Sequence, residues 1–254
     1  MPAILDHSMK EFVSVAGLRV DGRRPNEVRR VRAKFGLFQR VDGSAYVEQG
    51  QTKVMAVVYG PKEHTGRKTA EEAAETKARV TCEVTQAPFA TSERKVTHKA
   101  DRKKLETSLA ILQIFEANIS THLYPRSQID IFVQVLHADG GELAACINAV
   151  TLALVDAGIA MKDFVVACSA GYIQQTLLCD LNQTEQNARC PDLAVALTPR
   201  NDKLTLVQME CKLPLEIFES LMTTAMEGCT QIYEILQNEV QENTWRRLIS
   251  RETS

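Results

Sequence analysis

The sequence predicts a mixed α/β fold, one domain in which a β-then-α order occurs twice. Three observations carry this. Short β-rich segments with period-two alternation precede a helical stretch in each half of the chain. Turn signals, among them Asp42-Gly43, Gly60-Pro61 and Gly140-Gly141, separate the segments. The 254 residues, 44% of them hydrophobic, suffice to bury a sizeable core without covalent staples.

Residues 1–17 read as a weakly structured arm, followed by a turn at Asp21-Gly22-Arg23-Arg24-Pro25. From Val28 to Phe38 basic and apolar residues alternate, which suits a strand with one wet face. Asp42-Gly43 predicts a hairpin into a short strand, Ser44–Glu48. Thr52–Tyr59 reads as a central strand that Gly60-Pro61 ends, and residues 61–77 as a long polar loop. Arg79–Val84 is a further strand. Lys99–His122 has helical spacing, with Leu105, Leu109, Leu112, Phe115 and Ile119 on one side, and Tyr124-Pro125 closes it. In the second half Gln128–Leu136 alternates as a strand. Gly140-Gly141 then opens a small-residue helix to Ala157, with Gly158 as its stop. Phe164–Tyr172 with Leu177–Leu181, and Leu193–Leu197 with Leu204–Met209, are expected strand pairs. A long helix is expected from Pro214 to about Leu248. The domain is thus expected over residues 18–248, with a tail at 249–254.

Thirty Lys and Arg stand against 32 Asp and Glu, a formal charge of −2, so nucleic-acid contact requires a local basic patch rather than a global field. Seven cysteines occur without a Cys-x-x-Cys pair, several inside apolar runs; they are expected to be reduced, buried thiols. No ligand cluster at zinc spacing is present, and no metal or cofactor is expected. No apolar run has the length to span a bilayer and the first residues lack a signal-peptide pattern, so a cytosolic or nuclear protein is expected.

Three features carry candidate chemistry. Lys62, Arg67 and Lys68 lie in the polar loop, and Arg94-Lys95 precede Lys99, Arg102, Lys103 and Lys104. A basic cluster is often only a solvated face. Here the cations gather in loops and at a helix start of an acidic chain, where binding groups on rigid scaffolds are commonly placed. With only Phe89 nearby, they suit phosphate contact more than base stacking. The third feature is Leu136-His137-Ala138-Asp139-Gly140-Gly141-Glu142-Leu143, a strand running through two glycines into a helix whose first amides can hold an anion. A tight strand-to-helix turn explains the same glycines.

Several strings together resemble the RNase PH family: Arg19-Val20-Asp21-Gly22-Arg23-Arg24-Pro25, Gly43-Ser44-Ala45-Tyr46-Val47-Glu48-Gln49-Gly50, Val58-Tyr59-Gly60-Pro61, Pro125-Arg126-Ser127-Gln128-Ile129-Asp130, Val135–Gly141, Asp156-Ala157-Gly158-Ile159 and Ala167-Cys168-Ser169-Ala170-Gly171. The likeness spans residues 17 to 248 and is greatest to ring subunits of the eukaryotic RNA exosome. The resemblance implies an RNase PH-like fold and, in active members, phosphorolytic 3′→5′ exoribonuclease chemistry. It implies a hetero-hexameric ring of RNase PH-like chains, RNA-binding cap subunits, an associated hydrolytic exoribonuclease and single-stranded RNA as partners. It also implies roles in RNA processing and decay in nucleus, nucleolus and cytoplasm. It places Lys62, Arg67 and Lys68 at a central pore, Arg94 and Lys95 beside the RNA path, and Arg102 near the active site.

Two departures from the family pattern bear on the chemistry. After the glycines the family carries Thr-Arg or a close variant, where this chain has Glu142-Leu143. The family's two aspartates six residues apart fall on Asp180 and Gln186. An inward Glu142 about 4 Å from a bound anion would repel it by roughly 4 kcal/mol at intermediate dielectric. On these grounds Gly140, Gly141, Glu142, Leu143, Asp180 and Gln186 are expected to form a vestigial pocket without a cation for phosphate. A catalytically degenerate, non-enzymatic RNA-channel subunit is expected, with an active phosphate-dependent exoribonuclease as the alternative.

Overall fold

In the computed structural model, which describes residues 12–14, 17–63, 77–94, 101–188 and 190–252, two sheets enclose one apolar helix. Strands β1 (Val31–Phe35), β2 (Gly43–Gln49) and β3 (Thr52–Glu63) form an antiparallel meander. Strand β4 (Arg79–Gln86) leads through helix α1 (Arg102–Asn118) to β5 (Ser127–His137). Strand β5 inserts between β3 and β4, antiparallel to the first and parallel to the second, giving the order β1-β2-β3-β5-β4. The parallel pairing needs a crossover, and α1 supplies it. Helix α2 (Glu142–Ala157) follows. Strands β6 (Val166–Ile173), β7 (Thr176–Cys179), β8 (Asp192–Thr198) and β9 (Lys203–Met209), with the single turn α3 (Gln183–Gln186) after β7, make an antiparallel sheet of order β7-β6-β8-β9. Helix α4 (Leu215–Glu252) closes the fold against β6 and β8.

Every residue of α2 from Ala144 to Leu154 is buried, as a helix that is apolar all round must be. It packs on β2 and β3 on one side and on β6 on the other. Its two mid-helix polar residues find partners across that contact. The Asn148 amide donates to Ala167 O and accepts from Ala167 N, at 3.0 and 2.9 Å, and the Thr151 hydroxyl donates to Val165 O at 2.8 Å. Buried polar groups bonded in this way fix the helix in register with β6.

Several boundaries differ from the sequence expectation. Strand β3 continues through Gly60-Pro61 to Glu63, because Lys62 and Glu63 still face Gln128 and Ser127 on β5. Helix α1 begins only at Arg102, where the Asp101 carboxylate accepts from Lys103 N. Its buried face matches the expected one only toward the C-terminal end, where Phe115 and Ile119 are buried and Leu112 packs on the core. Leu105 and Leu109 are exposed, while Ser108, Ile111, Ile114, Phe115 and Asn118 face inward. Two polar residues turn the helix: Ser108 Oγ accepts from Val84 N at 3.0 Å, and the Asn118 amide donates to Asp163 O at 2.7 Å. All seven cysteines are free; Cys146, Cys168, Cys179 and Cys229 are buried, and Cys82, Cys190 and Cys211 half-buried.

Candidate functional site

Strand β5 delivers the chain into Ala138–Gly141 and then α2. Gly140 and Gly141 adopt φ of +78° and +61°, the left-handed region that favours glycine. A Cβ on Gly140 would stand 2.6 Å from both Asn182 C and Leu181 O, so the turn lies directly on the backbone that joins β7 to α3. Gly140→Ala would meet both costs, left-handed strain and a backbone clash. A loss of about 2–4 kcal/mol in urea unfolding is expected.

Under this turn lies Asp180, buried and itself at φ +53°. Its Oδ2 accepts from Arg29 N at 2.8 Å and Arg29 Nε at 3.0 Å, and its Oδ1 from Arg29 Nη2 at 2.8 Å and Gln49 Nε2 at 2.9 Å. The remaining Arg29 donors reach Thr52 Oγ1, Asp139 O and Gly140 O. All five guanidinium N–H groups are therefore satisfied. Burial opposes the charge on Arg29, but the Asp180 carboxylate outweighs it and holds the guanidinium above its ordinary pKa.

A second buried pair braces the same backbone. Arg19 and Glu185 meet through two parallel bonds, Nε to Oε1 at 2.9 Å and Nη2 to Oε2 at 2.5 Å, with both side chains inaccessible. Arg19 also donates to the carbonyls of Cys179 and Asp180, and Arg23 Nη1 to Asp180 O at 3.1 Å. Glu185 completes a capping box with Asn182 at the start of α3. The string Arg19 to Pro25 thus acts as a brace for the β7–α3 turn.

The pocket residues named from sequence partly converge. Gly140, Gly141 and Asp180 meet: a Cβ on Gly141 would stand 2.8 Å from Arg29 Nη2 and 3.6 Å from Asp180 Oδ1. Gln186 is half-buried on α3, its amide closing the turn to Asn182 O. Leu143 packs on the core. Glu142 is half-buried in the first turn of α2; burial first, and then its carboxylate, push the Cys146 thiol upward.

The basic residues divide between two ends of the sheet. Ala138 N donates to Ala90 O and Ala87 N to Val135 O, so the segment carrying exposed Arg94 runs beside the glycine turn. Arg102 starts α1 near the end of β4, at that same end, and among the described residues pairs with Glu106 one turn on. Lys62 lies nine residues along β3 from Lys53, the residue opposite His137, hence about 30 Å away. It pairs with Asp130 at 2.5 Å and lies over the Tyr59 ring. Arg67, Lys68 and Lys95 fall outside the described residues.

Arg29 stands at the head of α2, and no reading of the sequence had singled it out. A signal was present: in the alternation from Val28 to Phe38, Arg29 falls in the phase of Val31, Ala33 and Phe35, which face the core. An arginine in the apolar phase demands a buried carboxylate.

Comparison with known proteins agrees with the fold. Residues 27–160 match domain 1, and residues 163–228 domain 2, of the 3′ exoribonuclease family, RNase PH. The chain is 50% identical over 234 residues to the exosome complex component RRP41 homolog of Arabidopsis thaliana, covering 92% of this chain and 96% of that one. It is 47% identical over 233 residues to human exosome complex component RRP41, covering 92% and 94%. To exosome complex component Rrp41 of the archaeon Methanopyrus kandleri it is 38% identical over 231 residues, covering 91% and 95%. Among solved structures, a chain of the Archaeoglobus fulgidus exosome with RNA bound to the active site superposes with a TM-score of 0.73 at 18% identity, covering 86% and 92%. These findings overturn the reading of the chain as a non-enzymatic, catalytically degenerate subunit. Both halves match the models of an exoribonuclease family, and the likeness extends over nearly all of an archaeal Rrp41. With both family domains matched in order over most of its length, the chain belongs to the RNase PH family of 3′ exoribonucleases.

Proposed function

We propose that the chain is a core subunit of an RNA exosome, packed among other RNase PH-like chains in a ring, and that it leads single-stranded RNA 3′ end first toward the head of α2. The observation that carries this is the near full-length likeness to exosome components RRP41 from plant, human and archaeon. The geometry supports it. Arg94 and Arg102 stand at the same end of the sheet as the glycine turn, exposed on the segment that follows β4 and on the start of α1. Such cations neutralise phosphates without reading bases, which suits a subunit that handles RNA of any sequence. RNA-binding cap subunits and an associated hydrolytic exoribonuclease complete the proposed assembly.

The test is charge reversal, Arg94→Glu with Lys95→Glu, in the complex reconstituted from all its subunits. Affinity for an unstructured oligonucleotide should fall about tenfold or more at 0.1 M salt, and 3′ shortening should slow, while the ring still assembles. Unchanged binding and shortening in an intact ring would refute the path. The nature of the released product separates two chemistries. Nucleoside diphosphates that require inorganic phosphate report bond breaking at RNase PH-type pockets, and nucleoside monophosphates report the hydrolytic partner.

A further inference from the structure

The exposed phase of the basic-and-apolar alternation that begins at Val28 is not used by the site just described. In the structure Val31 is buried and Ala33 and Phe35 are half-buried, while Arg30, Arg32 and Lys34 are all exposed. The apolar set packs on the core, so the three cations project from the sheet face away from α2. Arg32 and Lys34 lie on β1, an edge strand, and Arg30 immediately precedes it, the three spaced about 6.5–7 Å apart along the chain.

Nothing within the described residues neutralises them. Among the described residues no ion pair or side-chain hydrogen bond involves Arg30, Arg32 or Lys34. Glu48, directly across from Arg32, instead accepts from the Tyr46 hydroxyl at 2.7 Å and faces Lys53 Nζ at 4.0 Å. A charge on an edge strand discourages sheet-to-sheet pairing. Three uncompensated charges of one sign at regular spacing, in a chain of net charge −2, go beyond that need. Tyr46, across from Lys34, adds a half-buried aromatic ring beside the row.

We propose that the outer face of β1, through Arg30, Arg32 and Lys34, is a second binding track for the RNA backbone. An extended strand can set successive phosphates against side chains that repeat every two residues, and the regular row fits a polyanion of uniform repeat better than an irregular acidic protein surface. The track is separate from the Arg94 path. That path follows β4, at the opposite edge, four strand spacings or about 19 Å across the sheet. The track starts at Arg30, next to Arg29 under the glycine turn, and runs away from it. This inference rests on the RNA-handling reading above for the identity of the polyanion.

The experiment compares the full chain, alone and assembled with its ring partners, in three forms: wild type, Arg94→Glu with Lys95→Glu, and Arg30→Gln with Arg32→Gln and Lys34→Gln. A fluorescent oligouridylate is titrated across a salt series. The β1 variant should assemble normally and lose about tenfold or more in affinity. The slope of log affinity against log salt should fall by about 2, the value for three lost phosphate contacts to a single strand. The Arg94 variant should retain that part of the slope. A β1 variant with unchanged affinity and slope overturns the proposal. So does one that no longer joins the ring, which would make β1 a protein interface. If wild type shows no salt-dependent RNA binding, the RNA-handling reading itself fails. If wild type binds and only the Arg94 variant loses affinity, that reading stands and the second track falls.

Discussion

Asp180→Asn should destabilise the chain by about 3–5 kcal/mol, a large share of the roughly 5–15 kcal/mol that holds a typical domain. Asp180 is inaccessible and takes four hydrogen bonds, three of them from Arg29. Asparagine preserves the shape but removes the charge, leaving a guanidinium that is 5% exposed without its counter-ion. It also places a donor amide against donors, so at least one bond to Arg29 or Gln49 must break. Urea unfolding measures the loss, and an Arg29→Met, Asp180→Leu double variant should recover much of it, since apolar replacement of a buried pair is often near neutral. A double variant as unstable as Asp180→Asn would show that the pair holds the glycine turn by bonds that packing cannot replace. Any loss of RNA shortening in Asp180→Asn counts as chemistry only once the folded fraction has been measured.

Arg19→Met should cost a similar amount, about 3–5 kcal/mol, because it strands Glu185 with neither exposure nor counter-ion. Three consequences add at one place: the bidentate pair is lost, the carbonyls of Cys179 and Asp180 lose a donor, and Glu185 must still cap α3. The expected signature is a lowered urea midpoint with unchanged m-value, and partial rescue by Glu185→Met in the same chain. A loss below 1 kcal/mol would mean that the ion pair contributes no more than a surface one.

Most of the fold was legible from sequence because most of it follows from hydrophobic periodicity. The strands alternate, α2 is apolar all round, and glycines mark both ends of that helix. What was misread depended on polar partners distant in sequence. The face of α1 is set by Ser108 and Asn118, whose bonding partners Val84 and Asp163 no local pattern reveals. Strand β3 runs past a Gly-Pro pair because β5, about 65 residues later, continues to bond it. At the site, the glycine turn was legible as a strand running through two glycines into a helix, and Asp180 through the family pattern. Arg29 carries no local motif that ties it to the glycine turn. Its contacts to Thr52, Asp139, Gly140 and Asp180 join segments up to 151 positions apart. An arginine out of phase in an otherwise regular strand is the mark to look for.

The position of α2 bears on what the two family domains are as physical objects. The first ends at residue 160 and the second begins at 163, yet α2, which belongs to the first, lends its other flank to β6 in the second. Severed there, the leading piece would present Ala167's former partner Asn148 and a greasy flank to water, and the trailing piece would be a four-stranded sheet missing its inner lining. The boundary drawn by family resemblance is therefore not a seam of folding, and the halves should melt as a single cooperative body.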